Sequence, residues 1–137
     1  MMSIPKKVDR KTFSGKAELV KIQQDETCSV DSLVLCKFAS FSVPIEIFAE
    51  LLSAATGLDY SIGEFLKCGE RIWNLERLFN NKAGFSRKDD TLPERFFENG
   101  GIDRNEFKKS LDEYYQLRGW DEFGVPTQGK LRELEIG

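Results

Sequence analysis

The stretch from Tyr60 to Phe79 constrains the fold of this chain most. Ser61–Glu64 has the form of a capping box, in which a serine hydroxyl and a glutamate carboxylate satisfy each other's backbone amides at a helix start. An apolar stripe at helical spacing follows it, made of Phe65, Ile72, Leu75 and Phe79. Gly69 lies inside this predicted helix, where it costs about 1 kcal/mol relative to alanine. Either glycine is simply tolerated at this position or, as we favour, its lack of a side chain permits a second helix to pack closely.

The rest of the chain also carries helical spacing. From Gly15 an apolar pattern begins, is interrupted by the polar residues 25–29, and resumes as far as Phe38. This interruption leaves open one helix bent near Thr27 or two separate helices. The other predicted boundaries are starts at Pro44, Asp103 and Thr127, and ends at Gly57 and Gly119.

No segment shows the alternating pattern of a β-strand over four or more residues. We therefore predict an all-α fold, an orthogonal multihelical bundle with long irregular connectors, of which residues 80–93 form the longest. Residues 1–14 are predicted to be a flexible basic arm, and residues 15–137 a single all-α domain.

The charge balance and the apolar runs exclude several classes of protein. The formal net charge is −3, from 20 basic and 23 acidic residues, which does not favour nucleic acid or a membrane surface as a partner. No apolar run approaches the roughly 18 residues of a membrane-spanning helix, and the start lacks a signal-peptide pattern. A cytoplasmic protein is expected.

The chain has few residues suited to catalysis. It contains three cysteines without CxxC spacing and no histidine, so reduced thiols are expected and a self-contained zinc site or four-thiolate cluster is excluded. The absence of histidine also removes the commonest general base. We therefore assign no catalytic residue.

One pair of residues has the chemistry of a ligand site. Asp31 and Cys36 lie five positions apart in an apolar run, and in a helix Asp31 would share a face with Leu35 while Cys36 projected beside them. A carboxylate and a thiolate, which is a soft metal ligand, would then face the same group bound at a helix end or between helices. The alternative is a small buried Cys36 and a solvated or capping Asp31.

Two other constellations have simpler interpretations. Asp89 and Asp90 lie in a loop and could bind a cation, although a local ion-pair cluster or a salt link between the loop and a helix is favoured. Tyr114 and Tyr115, near Arg118 and Trp120, are of the types that stack on bases, although packing at the core and its rim is favoured.

Several blocks of the sequence, in the same order, resemble the C-terminal portion of the tungsten-pterin aldehyde ferredoxin oxidoreductases. The resemblance extends from about residue 9 to the last residue. The blocks are Asp31–Phe38, Gly69–Asn80, Gly84–Asp90 with Leu92–Arg95, and Tyr114–Asp121 with Gly124–Thr127.

The resemblance implies a role at a cofactor. Enzymes of this family are several times longer, and an upstream CxxCxxxC run together with a DxxGLC motif near the C-terminus ligates a 4Fe–4S cluster beside a tungsten bis-pterin. Asp31–Cys36 matches that second motif, which implies that Cys36 is the fourth cluster thiolate. By the same match, Asp31 would accept hydrogen bonds from a pterin and the backbone near Leu35 would line its pocket.

This sequence departs from the family pattern in two ways. Val34 stands where the family has glycine, and the CxxCxxxC run is absent. We therefore expect a C-terminal domain, fragment or split subunit that binds no cofactor alone and needs the remaining domains or subunit. The whole enzyme would oxidise aldehydes to carboxylic acids and reduce ferredoxin. The alternative is a cofactor-free remnant that homo-oligomerises through apolar surfaces near Phe38–Phe48 and Phe96–Phe97.

Overall fold

A computed structural model describes residues 12–137, which form five α-helices and, over this range, no β-strand. The helices are α1 (Lys16–Ser32), α2 (Ile45–Thr56), α3 (Ile62–Lys82), α4 (Arg104–Arg118) and α5 (Gln128–Glu133). Short 3₁₀ turns lie at Lys37–Phe41, Arg87–Asp89 and Glu94–Phe96. The all-α prediction is confirmed. Most of the predicted arm, residues 1–11, lies outside the described part of the chain, and the domain limits stay a prediction.

Helix α1 settles the question that the polar interruption left open. It is one continuous helix, and its polar residues Asp25 and Ser29 are buried against α3 rather than facing solvent. The apolar pattern breaks there because this face of the helix meets polar partners. The prediction that the helix continues to Phe38 is wrong, since α1 ends at Ser32.

Helices α1 and α3 pack antiparallel in backbone contact at Gly69. A Cβ atom at this position would lie 1.9 Å from the Asp25 carbonyl oxygen, far inside van der Waals contact. One turn away, the buried Ser29 hydroxyl donates a hydrogen bond of 2.7 Å to the Phe65 carbonyl oxygen. The favoured interpretation of Gly69, close helix packing, is confirmed.

The capping box that begins α3 is also confirmed. The Glu64 amide donates to the Ser61 hydroxyl at 3.2 Å, and the Ser61 amide donates to the Glu64 carboxylate at 2.8 Å. The apolar stripe behind it is only half buried, because Phe65 is in the core while Phe79 is 72% exposed. Farther along α3, the buried positions are instead the polar residues Asn74 and Arg77.

The buried hydrophobic residues form two small cores. The first, made of Val30, Ile45, Phe48, Ala49 and Phe65, joins the end of α1 to the starts of α2 and α3. The second is aromatic and surrounds Tyr115 and Trp120, whose rings meet edge to face at 5.4 Å. The favoured packing interpretation of the two tyrosines is thereby confirmed.

A buried ionic network joins α1, α3 and α4. The Arg118 side chain is fully buried, pairs with the Asp25 carboxylate and donates at 2.8 Å to the Gln24 side-chain oxygen. Lys21 pairs with the other Asp25 oxygen at 2.9 Å. Lys21 also pairs with Glu70 of α3 at 3.3 Å, so charge pairing contributes, with apolar contact, to holding these three helices together.

The Asp90 carboxylate ties the long connector to α3. It receives two hydrogen bonds from the Arg77 guanidinium, at 2.9 and 2.6 Å, and a third from the Tyr115 hydroxyl. Burial, with the hydrogen bond and charge of Asp90, raises the pKa of Tyr115 well above its usual value of 10. The salt-link interpretation of the aspartate pair is confirmed at Asp90.

Candidate functional site

Asp31, Leu35 and Cys36 lie at the exposed junction of α1 with the first 3₁₀ helix. Asp31 is in the last turn of α1, and Cys36 immediately precedes the 3₁₀ helix. All three residues are exposed, and Cys36 is a free thiol. In the alternative interpretation, the small buried Cys36 is wrong, whereas the solvated Asp31 agrees with the structure. The condition under which Asp31 and Leu35 would share a helical face is not met, because α1 ends between them at Ser32.

Val34 ends the helical path with a left-handed backbone. Its φ angle is +58°, and its side chain is 93% exposed. A β-branched residue in this region is strained, by about 1–2 kcal/mol, because its Cβ crowds the following carbonyl oxygen. Glycine adopts the same conformation without that contact, which explains physically why a glycine suits this position of the motif.

Val34→Gly is therefore expected to stabilise the chain, by about 0.5–1.5 kcal/mol, since it relieves the left-handed strain but adds conformational freedom to the unfolded state. The free energy of unfolding from urea titration measures the change. Val20→Gly, on the regular helical backbone of α1, is the matched control and should destabilise by roughly 0.3–1 kcal/mol, from lower helix propensity and the lost burial of a half-exposed side chain. A destabilised Val34→Gly variant would contradict the strain at this turn.

Exposed apolar side chains follow the turn. Phe38 and Phe41 are 78% and 74% exposed, and their rings touch each other edge to face at 5.8 Å. Ile47 and Leu51 of α2 are exposed as well. We call Val34, Leu35, Phe38 and Phe41, which lie close together along the chain, the apolar patch. A patch of this kind on a small domain is typical of a surface that another protein segment covers.

The other two cysteines are less accessible than Cys36. Cys28 and Cys68 are half-buried. Burial raises the pKa of the Cys28 thiol, and the negative charges of Glu76 and Asp25 raise it further, so this group is protonated at neutral pH. Within residues 12–137, no group of three histidine, cysteine or acidic side chains stands close enough to hold a metal ion.

A groove of about 540 Å³ between α1, α3 and α4 was not predicted from the sequence. Its lining includes Trp73, Phe107 and Tyr114. The Tyr114 hydroxyl at its base already accepts from Trp73 at 2.9 Å and donates to Gln24 at 2.7 Å. Because three helices each contribute part of the lining, no local sequence pattern signals this groove.

The fold and the site define a helical domain that presents a thiol and a carboxylate at one end of its helix bundle. The chain belongs to the aldehyde ferredoxin oxidoreductase family, because the family's sequence pattern for domains 2 and 3 matches residues 1–136. In the part of the chain that the structure describes, no helix is long and apolar enough to cross a membrane.

Curated relatives agree with this assignment. The chain is 42% identical to the tungsten-containing aldehyde ferredoxin oxidoreductases of Pyrococcus horikoshii and of Pyrococcus furiosus, over 99% of its length and 24% of theirs. It is 32% identical to an aliphatic sulfonate oxidoreductase, WOR-like subunit, of Pyrococcus furiosus, over 78% of this chain and 19% of that protein. The chain thus spans about a quarter of the length of the first two relatives and matches their C-terminal part.

A solved structure has the same fold. It is the active site complex BamBC of benzoyl coenzyme A reductase, in complex with 1,5-dienoyl-CoA. The superposition has a TM-score of 0.82 and 26% sequence identity, and covers 96% of this chain and 20% of the other. The helical arrangement of residues 12–137 therefore recurs as a small part of a much larger reductase chain.

Proposed function

We propose that this chain serves as the C-terminal helical domain of a tungsten-pterin aldehyde:ferredoxin oxidoreductase and contributes to its cofactor site. Cys36 supplies one thiolate to a 4Fe–4S cluster, and Asp31 and the backbone at Leu35 contact the pterin. The observation that carries this proposal is the exposed turn, which presents the residues matching the family motif at one end of α1.

The residues of the turn fit these groups chemically. Cys36 is an accessible thiol without a disulfide partner, as an iron ligand requires. The Asp31 carboxylate is exposed and has no hydrogen-bond or salt-bridge partner within residues 12–137, so its oxygens can accept from the donor edge of a pterin. When bound, the cofactors supply the oxidation of an aldehyde to a carboxylic acid, with the electrons leaving through the cluster to ferredoxin.

The remaining cluster ligands and the rest of the pterin pocket come from other domains or another subunit of the oxidoreductase. The apolar patch supports this division, because Phe38 and Phe41 follow Cys36 in the adjoining 3₁₀ helix and have most of their surface in water. A second protein surface that reaches the cofactor would cover these rings and exclude water from the cluster. Burying these rings would stabilise the contact by about 25 cal/mol per Å² of apolar surface removed from water.

Replacing Cys36 tests the proposal. In the complete anaerobic assembly, Cys36→Ala is expected to abolish or strongly alter the electron paramagnetic resonance signal of the cluster and to lower its iron content. Cys68→Ala is the matched control, because Cys68 is a half-buried thiol on α3, and it should leave the signal unchanged. An unaltered cluster signal in Cys36→Ala would overturn the assignment.

A second candidate function is a cofactor-free helical module that self-associates. The exposed Phe38 and Phe41 favour it, although Phe48 of the predicted surface is buried and Phe97 packs against Phe107 at 5.5 Å. Sedimentation of the native species separates the two candidates. A small multiple of 15.7 kDa without iron or tungsten supports the module, while a much larger metal-bearing species supports the oxidoreductase.

A further inference from the structure

We propose that Lys37 is a positioning residue for the turn that presents Cys36. Its hydrogen bond to Thr27 holds Val34 in the strained left-handed conformation, and thereby sets where the Cys36 thiol and the Leu35 backbone stand. That this turn presents Cys36 and Leu35 to a cofactor rests on the proposed function, whereas the hydrogen bond and the strain are properties of this chain alone.

The bond spans the turn from end to end. The Lys37 ammonium donates to the Thr27 hydroxyl at 2.7 Å, although the two residues are ten positions apart. Thr27 lies on α1 more than one helical turn before its end, and Lys37 directly follows Cys36. The link therefore closes a loop around the Asp31–Cys36 segment and fixes the direction in which the chain leaves α1.

Backbone hydrogen bonds restrain the two ends of the turn but not its middle, and the Lys37–Thr27 hydrogen bond connects the two ends. On the helix side, the Val34 amide donates to the Asp31 carbonyl oxygen at 3.0 Å. On the other side, the Ala39 amide donates to the Cys36 carbonyl oxygen at 2.9 Å. Among the described residues, no backbone carbonyl accepts from the amides of Leu35 and Cys36.

The Lys37–Thr27 hydrogen bond matters because the backbone of Val34 is strained. A left-handed valine persists only where surrounding contacts hold it, and the Val34 side chain is almost entirely in solvent and supplies little such contact. A hydrogen bond from a charged donor is stronger than one between neutral groups, and it can therefore offset the strain of a single left-handed valine. Without the link, Val34 would relax to negative φ and carry Leu35 and Cys36 with it.

Amide hydrogen exchange on the full chain tests the proposal. Lys37→Met removes the donor and keeps most of the stem, and Thr27→Val removes the acceptor at nearly equal volume. Each is expected to lower the protection of the Val34 amide about tenfold, and the double variant no further. Lys37→Arg, which keeps a charged donor, should stay within about threefold of the parent. The Trp73 amide, inside α3, should be unchanged in all variants.

Glycine at position 34 distinguishes positioning from general stabilisation. If Lys37 acts by holding strain, Lys37→Met combined with Val34→Gly should recover protection at residue 34 to within about threefold of the parent, because glycine needs no restraint there. Unchanged protection in both single variants would overturn the proposal. So would a loss at Val34 and Trp73 together that glycine does not recover. Since this readout needs no cofactor, it stands apart from the Cys36→Ala test.

Discussion

Gly69→Ala is expected to destabilise the fold by at least about 2 kcal/mol, or to prevent folding. The added Cβ atom would lie 1.9 Å from the Asp25 carbonyl oxygen and 2.4 Å from the Ser29 hydroxyl, so α1 must move away from α3. Overpacking of this kind costs about 1–3 kcal/mol and sometimes more, and the loss of the Ser29 hydrogen bond adds to it. The better helix propensity of alanine returns only about 1 kcal/mol.

Gly63→Ala supplies the control within the same helix. The nearest atom to a Cβ at position 63 is the Ser61 hydroxyl at 3.8 Å, an ordinary contact. This variant should therefore be neutral or gain up to about 1 kcal/mol from helix propensity. Urea titrations of the parent and both variants measure the difference. Similar unfolding free energies for Gly69→Ala and Gly63→Ala would contradict the close contact between α1 and α3.

Arg118→Met is expected to cost about 3–5 kcal/mol of unfolding free energy. The substitution leaves the Asp25 carboxylate, whose side chain is 6% exposed, with Lys21 as its remaining cationic partner. It also removes one of the two donors to the Gln24 side-chain oxygen, which keeps its hydrogen bond from the Tyr114 hydroxyl. The burial of an under-compensated charge, rather than the loss of volume, sets this magnitude.

An exposed arginine provides the comparison for that variant. Arg104 pairs with Glu94, and both side chains are more than half exposed, so Arg104→Met should change stability by less than about 1 kcal/mol. Combining Asp25→Asn with Arg118→Met should cost less than the sum of the two single changes, because each removes the same charge pair. Equal effects of Arg118→Met and Arg104→Met would show that the buried pair contributes no more than an exposed one.

These two contacts bear on the candidate site because both hold α1. Gly69 fixes the distance between α1 and α3, and Arg118 fixes α1 against α4 through Asp25. The Asp31–Cys36 segment begins in the last turn of the same helix. Precise placement of that segment, which a cofactor ligand requires, therefore depends on packing up to two helical turns away.

The sequence by itself determined the features that depend on residues within about four positions of each other. The Ser61 and Glu64 cap and the Gly57 and Gly119 helix ends were all predicted, because their hydrogen bonds close within one helical turn. The family motif at Asp31–Cys36 was likewise readable from its local spacing.

Only the tertiary structure decided which faces of these helices are buried. Phe79 faces water, while Arg77 and Asn74 of the same helix are buried, because Asp90, 13 positions from Arg77, and Trp120, 46 positions from Asn74, supply their polar partners. Hydrophobic spacing cannot predict this, since a polar side chain is buried only where a distant partner satisfies it. The left-handed Val34 belongs to the same class, because a contact between residues ten positions apart spans its turn and local preference opposes its conformation.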